Sequence, residues 1–297
     1  MGDEQPTEPW AEDATRVYVE YRGLLFSIVY NLLGGVADTE DVLQETWLSW
    51  ARRHETGRDI ENPRAYLVRI AVNEALARQS AIGRRRETYV GPWLPEPVAV
   101  PDHGKRYELL SVALLVVLET LTPLERVVFV LYDVFDYPTG EIAEILGRTP
   151  AAVRQLAHRA RDHVQARRPR YRADPRVLRQ LTERFAAAQL GGDVNALMEI
   201  LAPDVTLWTD GGGKAPAAGQ RPMHGRDKVA RLFAAFAAAA LHPDAHASVR
   251  TVNGDPTIVL VSGGRPFVAL VLDLTPNGTQ AAGIYAVSNP DKLLHLG

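Results

Sequence analysis

The sequence contains no cysteine. This absence excludes disulfide bonds, thiolate zinc sites and cysteine nucleophiles. Long hydrophobic runs are also missing, since the two longest, Leu109–Val117 and Leu232–Leu241, are well short of the roughly 20 residues that span a bilayer. Met1–Asp13 carries five acidic residues and no basic residue, so it lacks the basic start of a signal peptide. These absences predict a soluble, cytoplasmic protein.

Charge is nearly balanced over the whole chain but strongly segregated within it. The formal net charge is −3 over 297 residues, of which 46% are hydrophobic, and these values are typical of a globular protein of about two domains. Arg148–Arg172 holds eight arginines against one acidic residue, and Arg64–Arg86 holds six against one. The forked guanidinium group suits phosphate and guanine recognition. The two blocks therefore indicate a nucleic-acid surface, and the alternative is two solvated helical faces.

Proline, glycine and the spacing of apolar residues divide the chain into segments. Apolar residues recur at helical spacing over residues 14–86 and again from residue 107 to about residue 168, whereas the stretch 87–107 holds four prolines and two glycines. We therefore expect a multi-domain fold made of an acidic N-terminal tail (1–13), an all-α domain (14–86), a linker (87–107), a second all-α domain (108–170) and a C-terminal α+β domain (175–297).

The C-terminal segment has the pattern of helices followed by a meander of strands. Two helices (175–189 and 193–201), a short β-branched run at Val205–Trp208 and a helix from Arg226 are expected first. Four strands follow, separated by glycine-containing turns, at 246–252, 257–262, 266–274 and 280–287. This order predicts an α+β domain with a curved sheet.

Thr139–Arg168 has the pattern of a helix-turn-helix. Thr139 is expected to cap a short helix, Gly147 to provide the turn, and Thr149 to cap a second helix that starts at Pro150. The inner stripe of that second helix is apolar: Val153, Leu156, Ala157, Ala160 and Val164. Its outward face carries Arg154, Gln155, His158, Arg159 and Arg161. Such a face suits the major groove of DNA, and the alternative is an ordinary helical hairpin.

Several blocks of the sequence resemble sigma-70-like transcription initiation factors. Leu121–Arg126, Gly140–Ala143 and Val153–Arg161 resemble region 4 of that family. Asp38–Trp47 resembles the polymerase-binding helix of region 2, and Asn62–Asn73 resembles the adjoining promoter-melting helix. With only these two helical domains and a short linker, the chain is similar to the extracytoplasmic-function sigma factors.

Three further motifs resemble a subgroup of those factors, which is fused to a SnoaL-like domain of the cone-shaped NTF2-like fold. The motifs are Trp93-Leu94-Pro95-Glu96-Pro97 in the linker, Asp210-Gly211-Gly212-Gly213-Lys214, and Asn289-Pro290-Asp291-Lys292-Leu293 near the end. The resemblance implies that the C-terminal domain regulates the sigma factor from within, through an interface formed by these motifs and without a dedicated anti-sigma protein.

The resemblance also implies roles for the matched helices, with bacterial core RNA polymerase and promoter DNA as partners and no membrane. Binding of the polymerase is expected from Asp38, Asp41, Gln44 and Glu45. Contacts to the −10 element are expected from Arg64, Arg69, Asn73, Arg84, Arg85 and Arg86. Contacts to the −35 element are expected from Arg154, Gln155, His158, Arg159 and Arg161.

The alternative for the C-terminal domain is a small-molecule sensor or an isomerase- or cyclase-type enzyme. Asp210, His224 and Trp208 are the residues that would populate a catalytic pocket in such a cone. His242 and His246 are four residues apart, but Pro243 between them argues against a helical metal face. We therefore expect no enzymatic activity, no cofactor and no metal.

Overall fold

The computed structural model describes residues 9–56, 60–99, 108–167, 174–215, 218–240 and 245–296. These residues form the helices α1 (Pro9–Leu33), α2 (Val36–Glu55), α3 (Pro63–Glu87), α4 (Val112–Leu118), α5 (Pro123–Phe129), α6 (Thr139–Leu146), α7 (Pro150–Arg167), α8 (Pro175–Leu190), α9 (Val194–Ile200) and α10 (Arg226–Ala240). The strands are β1 (Leu201–Asp210), β2 (Met223–His224), β3 (His246–Val252), β4 (Asp255–Ser262), β5 (Arg265–Leu274) and β6 (Ala281–Val287). Within the described ranges, no helix is both long and apolar enough to cross a membrane.

The chain divides into two compact units. Unit 1 comprises Met1–Gly83, Asp102–Leu109 and Leu121–His163, and unit 2 comprises Arg84–Pro101, Leu110–Thr120 and Val164–Gly297. Unit 2 therefore holds most of the expected linker together with the C-terminal α+β domain. The division into five segments did not predict this grouping.

Unit 1 begins with the helices α1, α2 and α3. Helix α1 ends where Gly34 takes a left-handed conformation (φ 74°), and the Asn62 side chain caps α3 by accepting a hydrogen bond from Ala65 N at 3.0 Å. Helix α1 begins at Pro9, so the last five residues of the expected acidic tail (1–13) are helical. Acidic residues are favourable near the positive end of a helix dipole, and their presence was therefore a poor indicator of a tail.

Buried polar contacts join the helices of unit 1. Trp50 Nε1 in α2 donates to Ala14 O in α1 at 2.9 Å. The guanidinium of Arg126 in α5 is buried, and its Nε donates to Asn31 O at the end of α1 at 3.1 Å. The second half of unit 1 is thus fixed to its first helix.

The predicted helix-turn-helix is confirmed as α6 and α7 of unit 1. Gly147 lies between them with a φ of 61°, and Thr149 Oγ1 accepts from Ala152 N at 3.2 Å. The expected inner stripe of α7 is buried throughout. Thr139, however, is the first residue of α6 and not its cap. Pro138 occupies the capping position with a ψ of 145°, which places the start of the helix one residue earlier than expected.

Unit 2 is built around a six-stranded sheet in the order β2-β1-β6-β5-β4-β3. Strands β1 and β6 are parallel, and the other neighbours are antiparallel. The four C-terminal strands confirm the predicted meander. Strand β1 is longer than the predicted run Val205–Trp208: it begins at Leu201, which pairs with Ala281 of β6, and the register shifts before Thr206 pairs with Gly283.

Both faces of this sheet are covered. Helices α8, α9 and α10 pack on the inner face, where Leu207, Leu260 and Ile284 are buried. The linker residue Leu94 and the start of α4 pack on the outer face with Val259, Val271 and Tyr285. Because side chains alternate along a strand, neighbouring residues of β1 and β6 point to opposite faces. The outer face is where the linker motif lies.

Candidate functional site

The structure brings the three predicted regulatory motifs together around the carboxylate of Asp210. Asp210 ends β1, and it is completely buried. Its Oδ1 accepts from Tyr89 Oη at 2.5 Å, and its Oδ2 accepts from Leu94 N at 2.8 Å and from Lys292 Nζ at 2.7 Å. One carboxylate thus contacts the linker and the chain end. We call Tyr89, Trp93, Leu94, Asp210, Asn289 and Lys292 the linker clasp.

Lys292 is the cation of the clasp. Its Nζ also donates to Leu94 O at 2.5 Å, and it lies 4.2 Å from the ring centroid of Trp93 and 5.1 Å from that of Tyr89. Burial lowers the pKa of Lys292, and the carboxylate of Asp210 opposes part of that shift. Removing an ammonium group and a carboxylate from water is costly unless their other hydrogen bonds are made. Here the backbone of Leu94 makes them.

Tyr89 is a member of the clasp that the sequence analysis missed. Burial raises the pKa of its hydroxyl, and the hydrogen bond to Asp210 raises it further. Asn289 Nδ2 donates to the same hydroxyl at 2.8 Å. The tyrosine therefore connects the second and third motifs. The available signal was an aromatic residue beside the proline-rich linker motif.

The glycines of the second motif allow the close approach of Asn289. Gly212 has a φ of 56°, and a Cβ at this position would lie 2.3 Å from Asn289 Nδ2 and 2.9 Å from Tyr89 Oη. A larger residue would therefore displace the clasp. Lys214 forms an ion pair with Asp291 in the third motif, and both side chains are more than half exposed.

The linker is also held on both sides of the clasp. Arg86 lies with its Cζ 3.4 Å from the ring centroid of Trp93 and forms an ion pair with Glu119. Farther along, Val98 N donates to Asn253 Oδ1 at 2.8 Å, and Asn253 N donates back to Val98 O at 3.0 Å. Asn253 lies in the turn that was predicted between the first two strands of the meander, and its contact with the linker was not expected.

The predicted polymerase-binding residues lie on α2. Asp41, Gln44 and Glu45 are exposed, as expected. Asp38 is partly buried, and its Oδ1 accepts from Arg78 Nε of α3 at 3.2 Å. Arg78 also pairs with Asp41. The carboxylates at the start of α2 are thus held by a cation that the sequence analysis did not single out.

Three of the predicted −10 residues lie exposed on α3 within unit 1, and two of them face the helix-turn-helix. The Cζ of Arg64 lies 4.7 Å from the ring centroid of Tyr137, just before α6. Arg69 lines a cavity of about 680 Å³, including its opening to solvent, whose opposite wall includes Glu141 and Glu144 of α6. Asn73 is exposed farther along α3. In this arrangement the side chains of Arg64 and Arg69 lie against α6 and the residue that precedes its cap.

The other three −10 candidates, Arg84, Arg85 and Arg86, lie at the end of α3 in unit 2. Arg84 and Arg85 are exposed. Arg86 is occupied by the contacts with Trp93 and Glu119 described above. The roles of all six residues in promoter binding stay predictions.

The predicted −35 residues are all exposed on α7, in agreement with the expected orientation. Arg159 Nε lies 3.3 Å from Glu125, and Arg161 pairs with Asp133 at 2.7 Å. His158 lies 3.6 Å from Asp162. Arg154 and Gln155, near the N-terminal end of α7, form no ion pair or side-chain hydrogen bond within the described part of the chain. Direct readout of bases by this end of the helix stays a prediction.

The residues considered for an enzyme do not meet in one cavity. Asp210 and Trp208 lie on the outer side of β1, where Trp208 stacks on Tyr285 at a centroid distance of 4.9 Å. His224 is exposed, with its Nδ1 3.0 Å from Thr206 Oγ1. His242 lies outside the described residues, and those that are described hold no cluster of three or more potential metal ligands.

Comparison with known proteins assigns a family to each part of the chain. Residues 17–85 match Sigma-70 region 2, residues 111–164 match Sigma-70 region 4, and residues 182–284 match the SnoaL-like domain. The chain is 36% identical over 289 residues to the ECF RNA polymerase sigma factor SigJ of Mycobacterium tuberculosis, an alignment that covers 90% of this chain and 89% of SigJ.

Two further comparisons agree with this assignment. The chain is 33% identical over 192 residues to the probable ECF RNA polymerase sigma factor SigI of M. tuberculosis, which covers 62% of this chain and 66% of SigI. The crystal structure of M. tuberculosis SigJ matches with a TM-score of 0.69 and 33% identity, over 92% of this chain and 95% of that one. The chain therefore belongs to the extracytoplasmic-function RNA polymerase sigma factors, in the form that carries a C-terminal SnoaL-like domain.

Proposed function

We propose that this sigma factor binds core RNA polymerase, directs it to promoters, and is regulated by its own C-terminal domain through the linker clasp. Region 2 supplies the polymerase-binding face of α2 and the −10 residues of α3, and region 4 supplies the −35 residues of α7. Regulation requires that the two promoter-reading domains change their spacing or orientation. The linker between them is the segment through which the C-terminal domain can act.

The observation that carries this proposal is the buried carboxylate of Asp210. A fully buried carboxylate is unfavourable unless it is paired and hydrogen-bonded. Its partners in this chain are two linker residues, Tyr89 and Leu94, and Lys292 near the chain end. The carboxylate of Asp210 therefore has all of its hydrogen-bond partners only while the linker lies on the sheet, and on this proposal the linker has a held state and a released state.

Binding rather than catalysis is the role we assign to the C-terminal domain. Asp210 serves the linker, and His224 and Trp208 lie apart from it, which supports a domain without catalytic residues. No separate anti-sigma protein is needed on this proposal, because the linker is held by the same chain. The site of action is the cytoplasm, where the polymerase and the chromosome meet.

Run-off transcription with bacterial core polymerase tests the proposal. Templates with randomised −35 and −10 positions are used, and the full-length chain is compared with chains that end at residue 288 or at residue 175. Removal of 289–297 deletes Asn289 and Lys292 from the clasp, so output is expected to rise. The chain ending at residue 175 is expected to differ from full length, since it lacks the whole clasp partner.

A matched control is Lys214→Met, which removes only an exposed ion pair and leaves the clasp in place. X-ray scattering should show the chain ending at residue 288 as more expanded than full length. If both truncated chains transcribe like the full-length protein and scatter as equally compact molecules, regulation through the clasp is wrong. If no chain supports transcription above core polymerase alone, the sigma function itself is contradicted.

A further inference from the structure

Arg161 of α7 is held by two residues that precede the helix-turn-helix. Val130–Val134 form a π-helical turn directly after α5, and Phe135 N closes it by donating to the carbonyl of the first residue of the turn at 3.2 Å. Such turns are rare, and they occur frequently at functional sites. Two side chains of this turn, Tyr132 and Asp133, contact Arg161. We call these two residues the Arg161 support.

The carboxylate of Asp133 binds one edge of the Arg161 guanidinium group. Asp133 Oδ1 accepts from both Nε and Nη2 of Arg161, at 2.7 Å in each case. The Cζ of Arg161 lies 4.8 Å from the ring centroid of Tyr132. A guanidinium group is planar with its donors in a fixed fork, so the edge formed by Nη1 and Nη2 faces away from this carboxylate. The Arg161 side chain is 44% exposed, and the second edge fits two oxygens of a phosphate.

The surroundings of Asp133 favour a role in holding the arginine. The Asp133 side chain is 12% exposed, and its Oδ2 is buried without a hydrogen-bond partner among the described residues. Burial raises the pKa of Asp133, and the hydrogen bond and charge of Arg161 oppose part of that rise. A buried carboxylate is unfavourable unless it is paired. Because Arg161 supplies the pairing, moving its guanidinium group away from Asp133 costs free energy.

Arg161 lies on the same face of α7 as Arg154 and His158, which are also predicted −35 residues. The three are spaced by four and then three positions, so they follow one line along the helix. At about 1.5 Å per residue, Arg161 lies about 10.5 Å from Arg154 along the axis. Helix-turn-helix proteins read bases with the N-terminal end of the second helix, in a major groove about 12 Å wide. Arg161 is therefore expected to meet a phosphate at the edge of the groove.

We propose that Asp133, assisted by the ring of Tyr132, is a positioning residue for promoter binding, which presents the Nη1–Nη2 edge of Arg161 to a DNA phosphate beside the −35 element. This inference rests on the proposed role of α7 in promoter recognition. A long side chain loses conformational freedom when it binds, and one that is already ordered loses less. The Arg161 support therefore strengthens binding although Asp133 adds a negative charge close to DNA.

Promoter binding by the holoenzyme tests the proposal. Bacterial core polymerase is assembled with the full-length chain and titrated with the promoter that is most active among templates randomised at the −35 and −10 positions. Asp133→Ala is expected to weaken binding by roughly 2- to 12-fold, the cost of ordering one long side chain. Electrostatics alone predicts the opposite sign, because the variant removes an anion near the phosphates. Unchanged or tighter binding overturns the proposal.

A double-mutant cycle separates positioning from a merely structural role. In a chain that already carries Arg161→Ala, Asp133→Ala should have no further effect on promoter binding, because the residue that it positions is absent. The same loss in both backgrounds would show that Asp133 acts on the fold of unit 1, and this result overturns the proposal. A thermal melt of each variant checks that it is folded.

Salt dependence and a matched control provide two further readouts. The slope of affinity against salt reports the number of phosphates contacted, so Arg161→Ala should lower it by about one, whereas Asp133→Ala should leave it unchanged. Glu144→Ala is the control, since it removes an exposed carboxylate from α6 of the same helix-turn-helix, and it should not weaken binding. A loss in Glu144→Ala equal to that in Asp133→Ala overturns the proposal.

Failure of this inference is distinguishable from failure of the proposed function. If Arg154→Ala and Arg161→Ala weaken promoter binding but Asp133→Ala does not, α7 binds the promoter and only the role of Asp133 is wrong. If neither arginine affects binding, the promoter role of α7 and this inference are both overturned.

Discussion

The substitution Lys292→Met tests whether the linker is held by the buried ion pair. Methionine is unbranched like lysine and keeps apolar contact with the rings of Trp93 and Tyr89. It leaves the carboxylate of Asp210 buried without its cation. Lys292 has an 11% exposed side chain and Asp210 a fully buried one, so screening by solvent is small. Breaking a buried pair by removal of one partner costs about 3–5 kcal/mol.

The control is Lys214→Met, which removes the ion pair with Asp291. The side chains of Lys214 and Asp291 are 55% and 61% exposed, and exposed ion pairs contribute about 0–1 kcal/mol to stability. The two variants make the same chemical change to a lysine that pairs with an aspartate. They differ in burial, so a difference between them reports the clasp.

The measurement is native-state hydrogen exchange at the Leu94 amide. At 1.36 kcal/mol per factor of ten, a loss of about 3–5 kcal/mol in the stability of the clasp speeds exchange through linker opening by roughly two to nearly four orders of magnitude. Lys214→Met should change the rate by no more than about fivefold. If the two variants exchange at the same rate, the buried pair does not hold the linker and the argument from burial is refuted.

Three other perturbations test the sigma domains. Gln44→Ala with Glu45→Arg should weaken binding of core polymerase in a pull-down. Because both side chains are exposed, the free energy of unfolding should change by only about 0.5 kcal/mol. Glu20→Arg on α1 is the control, and unchanged binding by the double variant would remove this face of α2 from the interface. Arg154→Ala should cost about 1–3 kcal/mol of promoter affinity and relax specificity at one −35 position in footprinting. Arg161→Ala should instead weaken binding to all promoter sequences alike. If the wild type and Arg154→Ala show the same promoter preference, α7 is oriented differently. Glu125→Gln should lower the melting temperature of the chain by more at pH 7 than at pH 3. Burial raises the pKa of Glu125, but hydrogen bonds from Thr122 and the cations Arg159 and His163 outweigh it and lower the pKa below its usual 4.5. The ionised carboxylate therefore stabilises unit 1 above about pH 4.5, and that contribution is lost as the pH falls through the folded-state pKa. A melting difference that is independent of pH would contradict this account.

Local patterns were sufficient to predict the helices of the sigma domains and the strands of the C-terminal domain. The turn at Gly147, the cap at Thr149 and the buried stripe of α7 all depend on residues a few positions apart. Thr139 shows the limit of such reasoning, because the extended conformation of Pro138 decided where α6 begins. The length of β1 was missed because its first residue, Leu201, pairs with Ala281 of β6, which lies far along the chain.

The partners of the site residues were harder to predict because they come from distant parts of the chain. Tyr89 and Asp210 are 121 positions apart, and Asn253 contacts Leu110 across 143 positions. Nothing in the neighbourhood of Asn253 distinguishes it from an ordinary turn residue. Arg159 and Arg161 were correctly placed on the outer face of α7. The carboxylates of Glu125 and Asp133 that pair with them follow only from the packing of α7 against the preceding helices.

The chemistry of the clasp suits a contact that must be released as a whole. An apolar contact of the same volume would often be equally stable, but it weakens gradually as surfaces slide apart. In the clasp, Tyr89, Leu94 and Lys292 all donate to the single carboxylate of Asp210. Displacing any one of them leaves a buried charge partly unsatisfied, and water can relieve that cost only when the linker leaves the sheet. Loss of the pairing therefore favours complete release of the linker over a series of partly attached states.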